Sequence, residues 1–293
     1  MKVGIDLKGR KALITGGASG IGLAIAREFA RRGAFPVLAD LNGPALEEAA
    51  QGLRQEGLNA YPYRLDVTDF QAVLKMRDHL KEVGLEPEVL VNCAGVTLVA
   101  HVCNTTHEDW SRMININLMG PVNIIDAFLP DLSARGSGHI VNIGSIDGLI
   151  PIPGQAPYCA SKFAVTGLTE VLYFDLKPRG IGVTLVCPGA VNTPMAKSMP
   201  IRDFPHGFGS QRLTDLAWKM VERISNTPEN IARHAADAVE WGRFLVIPGA
   251  PSRLMWHYRR LFPRIATASG VGTARLFEKL RRLRHRQLGS VTA

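Results

Sequence analysis

The sequence is poor in cysteine, and its cysteines lack the spacing of a metal or redox site. Cys93, Cys103, Cys159 and Cys187 form neither a zinc-binding pair nor a CxxC motif. We interpret them as free thiols in a reducing compartment, which predicts a cytoplasmic protein without a bound metal.

Long apolar runs are missing as well. No segment approaches the roughly 18 consecutive apolar residues of a transmembrane helix. The N-terminal stretch MKVGIDLKGRK carries charges throughout and has no apolar region of the kind found in signal peptides. We therefore expect neither a membrane span nor a cleaved leader.

Acidic residues are almost absent from the C-terminal end. The chain of 293 residues has a net charge of +8, with 34 Lys and Arg against 26 Asp and Glu. Residues 251–293 contain ten of the basic residues and one acid, Glu278, whereas residues 1–250 are nearly neutral. The basic balance therefore does not predict nucleic-acid binding by the whole protein. We divide the chain into one domain, 1–250, and a basic extension, 251–293.

Apolar runs of strand length alternate with stretches of helical periodicity along the first 250 residues. Strands are predicted near 12–15, 36–40, 60–66, 88–92, 139–145, 183–189 and 244–247. Helices are predicted over 21–32, 44–56, 70–82, 157–176 and 228–241, with another starting near 108. This alternation indicates an α/β fold, a Rossmann-type doubly wound parallel sheet of seven strands with helices on both faces.

A glycine-rich stretch, TGGASGIG, joins the first strand to the first helix. Gly16, Gly20 and Gly22 have the spacing G-x3-G-x-G, and no GK[ST] follows, which excludes a P-loop. At such a turn the backbone can approach a pyrophosphate and the helix N–H groups can bind it. We predict that Ser19 and Ile21 belong to this contact. The alternative is a glycine-rich turn with no ligand.

Asp40 lies at the end of the second strand, eighteen residues after Gly22. A carboxylate there can accept hydrogen bonds from an adenosine ribose and repel a 2′-phosphate. Neither the glycine loop nor Leu41, the next residue, offers a base, so NAD is favoured over NADP. The alternative is a turn Asp preceding Asn42 and Gly43.

Tyr158 and Lys162 are four residues apart at the start of a predicted helix. They therefore share one helix face, and an ammonium beside a phenol lowers the pKa of that phenol. We predict an acid/base pair; a surface Tyr/Lys pair is the alternative.

Taken together, these motifs resemble the classical short-chain dehydrogenase/reductase family over about residues 5–249. The order of the motifs carries the resemblance: TGGASGIG, Asp40, LDVTD (65–69), NCAG (92–95), Asn117, Ser145, YCASK (158–162) and CPGAVNTP (187–194). Two positions depart from the family pattern. Cys93 stands where an Asn is usual, and Gly144 stands where a Ser usually precedes Ser145.

The resemblance implies four catalytic residues. Tyr158 would be the general acid/base, and Lys162 would lower its pKa and bind the nicotinamide ribose. Ser145 would orient the reacting oxygen, and Asn117 would hold a water that links Lys162 to solvent.

The resemblance also implies the remaining cofactor contacts, all in loops at the carboxyl ends of strands. The contacts to adenosine, its ribose and the nicotinamide would come from Asp66, Val67, Asn92, Ala94, Gly95, Pro188, Gly189, Val191 and Thr193, together with Asp40, Leu41, Tyr158 and Lys162.

The expected function is NAD-dependent interconversion of a secondary alcohol and a ketone. Val165 stands where enoyl reductases place their Lys, and the glycine loop differs from that of extended, epimerase-type relatives. A non-catalytic NAD-binding scaffold remains the alternative from another class. An apolar small-molecule substrate is favoured by LIPIPG (149–154) and by Met195, Met199, Ile201, Phe204, Phe208, Leu213, Trp218 and Met220, with a sugar or polyol as the alternative.

Two expectations concern assembly and the extension. The helix bearing Tyr158 has more apolar residues than one inward stripe needs, so we expect a homodimer or homotetramer. Residues 275–288 place Leu276, Leu280, Leu283 and Leu288 at helical spacing among bases. This basic amphipathic pattern suits peripheral contact with an anionic membrane through 251–293. The alternative is packing of the apolar stripe on the enzyme or on a neighbouring subunit.

Overall fold

Seven parallel strands form a single sheet in the order β3-β2-β1-β4-β5-β6-β7. The computed structural model describes residues 4–202 and 226–289, with side chains in the last helix described to Arg275 and at Glu278 and Lys279. The strands are β1 (Lys11–Thr15), β2 (Phe35–Asp40), β3 (Tyr61–Arg64), β4 (Val89–Asn92), β5 (Gly138–Ile143), β6 (Ile181–Val186) and β7 (Leu245–Val246). The strand order reverses between β1 and β4, which opens a crevice at their carboxyl ends.

Helices cover both faces of this sheet, as the sequence predicts. They are α1 (Gly20–Arg31), α2 (Gly43–Gln55), α3 (Phe70–Glu82), α4 (His107–Ile114), α5 (Gly120–Arg135), α6 (Ala156–Leu176), α7 (Pro194–Lys197) and α8 (Pro228–Trp241). One core joins the sheet to α1, α2 and α8, and a second core joins it to α3, α5 and α6. The predicted doubly wound α/β fold is confirmed.

The strands β5 and β6 end earlier than their apolar runs suggest. Their pairing stops at Ile143 and Val186, so Gly144, Ser145 and residues 187–189 lie in loops. The prediction extended both strands because an apolar run does not show where the pairing with a neighbouring strand stops. The shorter strands bring Ser145 out to the open edge of the sheet.

A π-helical turn, Asn115–Met119, joins α4 to α5, whereas the sequence predicts one regular helix. Such turns are rare and are found often at functional sites. In this case the turn contains Asn117, one of the predicted catalytic residues.

Two further helices make up the C-terminal extension, α9 (Ala250–Leu261) and α10 (Pro263–Gly289). Helix therefore begins well before the predicted 275–288 segment. The leucines of the predicted stripe lie outside the described side chains. In the part of the chain that the structure describes, no helix is long and apolar enough to cross a membrane.

Candidate active site

The glycine loop after β1 is tightly folded and requires glycine at several positions. Gly16 and Gly20 have φ angles of 66° and 55°, in the left-handed region that favours glycine. A Cβ at Gly22 would lie 2.1 Å from the carbonyl oxygen of Gly16. The loop leads into the N-terminus of α1, where Ser19 precedes the first helical turn. This cradle fits the pyrophosphate of a dinucleotide.

Asp40 joins the glycine loop to the end of β2. Its Oδ2 accepts a hydrogen bond from the N–H of Ala18 at 3.2 Å, and its Oδ1 accepts one from the N–H of Asn42 at 3.0 Å. Asp40 is therefore held beside the loop, and it also shapes the following turn. Leu41 is exposed next to it.

Arg64, a base that the sequence analysis missed, lies at the same edge. It pairs in register with Asp40, and its Nε donates to the carbonyl oxygen of Leu41 at 3.3 Å. Arg64 is distant from Asp40 in the sequence. The only feature of the sequence that could have indicated it is its position at the end of a neighbouring predicted strand.

The loop after β4 is fastened to β1. The hydroxyl oxygen of Thr15 accepts hydrogen bonds from the N–H groups of Cys93 and Ala94 at 3.1 and 3.2 Å. The side chain of Asn92 points into the sheet and donates to Oδ1 of Asn142 at 2.8 Å. A cofactor contact from Asn92 would therefore come from its backbone, and the backbone N–H groups of Cys93 and Ala94 fasten the neighbouring loop.

Asp66 and Val67 follow β3, as predicted, and each has a structural contact. Oδ1 of Asp66 accepts hydrogen bonds from the N–H and hydroxyl of Thr68 at 2.9 and 2.7 Å. The carbonyl oxygen of Val67 accepts one from Asn123 of α5 at 2.9 Å. The exposed carboxylate of Asp66 therefore stays at the surface of this edge.

Asn117 is buried and clamps the loop after β4 to α6. Its Oδ1 accepts from the N–H of Val96 at 2.8 Å, and its Nδ2 donates to the carbonyl oxygen of Val96 and to Oγ of Ser161, each at 3.0 Å. A Cβ at Gly95 would lie 3.2 Å from Oδ1 of Asn117. Because these contacts occupy the amide, the predicted water would have to bind the backbone of the π-helical turn.

Tyr158, Lys162 and Ser145 converge at the carboxyl edge of β5. The Nζ of Lys162 donates to the carbonyl oxygen of Ile143 at 2.9 Å and lies 5.8 Å from the centre of the Tyr158 ring. The hydroxyl oxygen of Ser145 accepts a hydrogen bond from the N–H of Asp147 at 3.1 Å, and the Ser145 side chain acts to lower the pKa of the Tyr158 phenol.

The predicted lowering of the Tyr158 pKa is wrong for this structure. Burial raises the pKa of Tyr158, and the nearby Asp147 carboxylate raises it further, whereas Ser145 acts in the opposite direction. Burial likewise lowers the pKa of Lys162. Desolvation outweighs charge here because it penalises both charged forms, and helix spacing alone does not reveal it.

Asp147 is a second residue that the sequence analysis missed. It occupies the 3-10 turn Ile146–Gly148, which Ser145 caps. Burial raises the pKa of Asp147 to about 6, against the opposing effects of Ser145 and Lys162. The available signal was an acid two residues after the predicted catalytic serine.

The loop after β6 contacts both the catalytic turn and the C-terminal extension. The carbonyl oxygen of Pro188 accepts a hydrogen bond from the N–H of Ile146 at 2.8 Å. A Cβ at Gly189 would lie 2.2 Å from Oγ of Ser252 in α9. The extension therefore touches the loop predicted to hold the nicotinamide.

Further along this loop, Thr193 and Val191 close the cofactor edge. Thr193 caps α7 by accepting from the N–H of Ala196 at 3.3 Å, and a Cβ at Gly20 would lie 3.5 Å from Thr193. Val191 forms a parallel bridge with Asn226. Thr193 therefore lies across from Gly20 of the glycine loop.

Comparisons with known proteins agree with this geometry. The family model of the short chain dehydrogenases matches residues 10–202. The oxidoreductase UcpA of Salmonella typhimurium is 38% identical over 231 residues, which cover 78% of this chain and 87% of that protein.

Solved structures of similar proteins contain either form of the cofactor. A short chain dehydrogenase/reductase from Burkholderia phymatum, in complex with NAD, has a TM-score of 0.75 and 30% identity, covering 88% of this chain and 96% of that chain. A second structure, titled a putative gluconate 5-dehydrogenase from Beutenbergia cavernae, contains bound NADP. It has a TM-score of 0.71 and 28% identity, covering 83% of this chain and 96% of that chain. The family match and these relatives agree with the site and show that the chain belongs to the short-chain dehydrogenase/reductase family of oxidoreductases.

Proposed function

We propose that this protein is an NAD-dependent oxidoreductase that interconverts a secondary alcohol and a ketone. The convergence of Tyr158, Lys162 and Ser145 beside the glycine cradle is the observation that supports this function most directly. NAD, when bound, would accept or supply the hydride. A non-catalytic NAD-binding scaffold would not need these three side chains together.

Tyr158 is the proposed general acid/base. Its raised pKa keeps the phenol protonated at neutral pH, so that the phenol can donate a proton to a carbonyl oxygen. Ser145 would hydrogen-bond that oxygen and orient it. The ammonium of Lys162 would stabilise the phenolate left after proton transfer and bind the nicotinamide ribose.

A panel of secondary alcohols, assayed with NAD by NADH absorbance, tests this proposal. Tyr158→Phe should lower turnover by about 10²-fold or more, as expected for loss of a general acid/base. Tyr173→Phe is the matched control, because Tyr173 lies on the same helix and contacts Lys177 rather than the site. Wild-type turnover by Tyr158→Phe would exclude the assigned role, and an inactive panel would favour the scaffold.

NAD is proposed over NADP because the Asp40 carboxylate is held beside the glycine loop at the end of β2, and a carboxylate there would repel a 2′-phosphate. Arg64 is a nearby base and the residue best placed to weaken this preference. Titrations of both cofactors, followed by Trp fluorescence, should show tighter NAD binding that Asp40→Ala reduces and Arg64→Ala strengthens. Equal affinity of the wild type for NAD and NADP would contradict the proposal.

The proposed substrate is an apolar alcohol or ketone. Met195 lies near Lys162, since a Cβ at Gly95 would be 3.9 Å from both the Cε of Met195 and the Nζ of Lys162. Leu149 and Ile150 pack in the cluster around Ile146, beside Ser145. Phe204, Phe208, Leu213, Trp218 and Met220 lie outside the described residues. Faster turnover of polyols than of lipophilic alcohols would favour the sugar alternative.

We also propose that the protein is a homodimer or homotetramer. Three large apolar residues on the outer side of α6 are exposed, Phe163, Val171 and Phe174, at 42%, 55% and 66%. A second copy would cover this stripe. Light scattering should give at least a dimer mass at micromolar concentration, and Phe174→Glu should reduce it. A wild-type monomer would refute the assembly.

A second proposed property is peripheral contact of a cytoplasmic protein with an anionic membrane. In α9, in α10 and at the residue between them, the large apolar residues Leu254, Leu261, Phe262, Ile265 and Val271 are exposed. They lie among the arginines of a segment with ten bases and one acid. From Pro263 to Arg275 only Ala266 and Gly270 are even partly shielded. This exposure argues against packing of that part of α10 on its own domain.

Vesicle sedimentation distinguishes membrane contact from packing on a neighbouring subunit. Binding to phosphatidylserine vesicles should weaken with salt and disappear when residues 263–293 are deleted. Neutral phosphatidylcholine vesicles are the control. A change of oligomer mass on deletion, without vesicle binding by the wild type, would support the neighbouring subunit instead.

A further inference from the structure

Residues 194–202, which we call the α7 segment, are joined by their last residues to the chain that follows β4. Val99 forms a parallel bridge with Ile201. The N–H of Val99 donates to the carbonyl oxygen of Pro200 at 3.0 Å, and the N–H of Arg202 donates to the carbonyl oxygen of Val99 at 2.8 Å. The α7 segment therefore ends in a defined backbone pairing.

The same part of the chain after β4 is joined to the region of Tyr158. The N–H of Ala100 donates to the carbonyl oxygen of Gly154 at 2.8 Å, just before α6 begins. The buried side chains of Leu98, Ala100 and Met113 form an apolar cluster, and Tyr158 packs against this cluster. Residues 98–100 therefore link the α7 segment to the surroundings of Tyr158.

An ion pair from α4 fastens this link. Oδ2 and Oδ1 of Asp109 accept hydrogen bonds from the two Nη atoms of Arg202, at 2.6 and 3.0 Å. Two parallel bonds of this kind fix the orientation of a guanidinium as well as its distance. Asp109 also accepts the N–H of Thr106 at 2.8 Å. Met113 lies four residues further along the same face of α4, so one helix face holds both Arg202 and the cluster against which Tyr158 packs.

Two methionines of the α7 segment lie near the predicted site. A Cβ at Gly95 would be 3.9 Å from the Cε of Met195, the same distance as from the Nζ of Lys162. The Sδ of Met199 accepts a hydrogen bond from the hydroxyl of Thr97 at 4.0 Å. An apolar substrate large enough to reach these two side chains would gain buried apolar area, whereas a small alcohol would not.

We propose that Asp109 and Arg202 are positioning residues for the substrate. By fixing the α7 segment relative to Tyr158, their ion pair favours bulky apolar alcohols over small ones. This inference rests on the proposed function. The pair acts through the backbone of the α7 segment, so its loss should raise the KM of bulky substrates and leave kcat and NAD affinity nearly unchanged.

The expected effect is moderate, because the side chain of Arg202 is 45% exposed and that of Asp109 is 14% exposed. In the full-length enzyme, Arg202→Gln should raise the KM of the largest lipophilic alcohol in the panel by about 3- to 5-fold. The KM of the smallest secondary alcohol that is turned over should change by less than about 2-fold. Arg202→Lys keeps the charge but loses the two parallel bonds, so its KM should lie between those of Arg202→Gln and wild type.

A double-mutant cycle isolates the ion pair. Asp109→Asn, Arg202→Gln and the double variant should all raise the KM of the bulky alcohol equally, because either single change breaks the pair. Thr106→Ala is the control, because it removes the hydroxyl that caps α4 and keeps the backbone N–H that binds Asp109. That variant should lower the thermal midpoint without raising the KM.

Hydrogen exchange tests the same link without any substrate. The amides of residues 99 and 202 should exchange up to about 5-fold faster in Arg202→Gln and in Asp109→Asn than in wild type. The amide of Ala100 bonds to Gly154 on the other side, so its rate should not change. Unchanged exchange at 99 and 202 would overturn the proposal, whatever the dehydrogenase assay shows.

Three kinetic results would also overturn the proposal. They are additive rises in KM across the double-mutant cycle, equal rises for large and small alcohols, and a rise of the same size in Thr106→Ala, which would mean a purely structural role. Failure of the proposed function is different, because the panel would then be inactive in wild type or Tyr158→Phe would retain wild-type turnover.

Discussion

The predicted catalytic edge, at the carboxyl ends of β4 and β5, and the last helix differ in how far their polar residues are buried. At the edge, Asn117 and Lys162 are buried, and their hydrogen bonds hold the loop after β4 and the end of β5. From Pro263 to Arg275, α10 leaves nearly every residue exposed. The first arrangement fixes geometry and shifts pKa values. The second supplies a surface whose binding depends on charge and apolar area.

Helix α9 belongs with the first arrangement, although its sequence resembles the second. Ser252 packs against Gly189, and Trp256 joins the apolar cluster around Ile146 and Val165. We therefore propose that the catalytic unit extends to about Leu261 and not to residue 250, with α10 as the appended element.

Glycine substitutions should separate the two regions most strongly. Gly22→Ala places a Cβ 2.1 Å from the Gly16 carbonyl oxygen, so NAD binding by Trp fluorescence titration should be lost. Gly272→Ala, in α10, meets no atom within 4 Å. That variant should bind NAD normally and favour its helix by up to about 1 kcal/mol. Equal NAD affinity for both variants would refute the cradle.

Lysine substitutions sharpen the same contrast. Lys162→Met removes the buried ammonium but keeps most of the stem, and turnover should fall by about 10²-fold with weaker NAD binding. Lys279→Met, in exposed α10, should leave turnover in the dehydrogenase assay unchanged. Its NAD binding should also be unchanged. If the two variants behaved alike, the Lys162 ammonium would have no special role.

The fall in the free energy of unfolding in mild acid should come from a buried histidine in the core, His139. His139 is buried in β5 with Nε2 2.8 Å from the hydroxyl of Thr184, and burial lowers its pKa to about 3. Between an unfolded pKa of about 6.5 and that value, the unfolded chain binds more protons, so the free energy of unfolding falls as pH falls. Denaturant titrations at about pH 6.5 and pH 5 measure this fall. The free energy of unfolding should fall by up to about 2 kcal/mol more in wild type than in His139→Gln.

Asp147 contributes with the opposite sign, because its pKa is raised in the folded state. Its contribution cancels when His139→Gln is compared with wild type at each pH. Identical pH dependences for the two proteins would show that His139 is not the sensitive group.

Truncation should have the smallest effects and should locate the boundary. Deleting 250–293 removes the contacts of Ser252 and Trp256, which should lower the free energy of unfolding by about 1–2 kcal/mol. In a domain of this size that loss corresponds to a thermal midpoint lower by roughly 2–8 °C. Deleting 263–293 should change the midpoint little in the monomeric unit. Equal losses from both deletions would move the boundary beyond α9.

The sequence predicted the sheet because buried parallel strands read as plain apolar runs and glycines mark their ends. Helices α3 and α8 match their predicted bounds. The proposed catalytic positions came from motif order, and their roles remain predictions. Asp147 and Arg64 did not come from it, because their importance depends on which strand or turn lies beside them in space. The Tyr158 pKa was missed because spacing reports charge but not desolvation.

The most direct test of the central claim, that catalysis resides in the unit ending near Leu261 and depends on Tyr158, is NADH formation by protein lacking residues 263–293, with and without Tyr158→Phe. The truncated enzyme should retain wild-type turnover, and Tyr158→Phe should lower it by about 10²-fold or more. Loss of turnover on truncation alone, or retained turnover with Tyr158→Phe, would contradict this account.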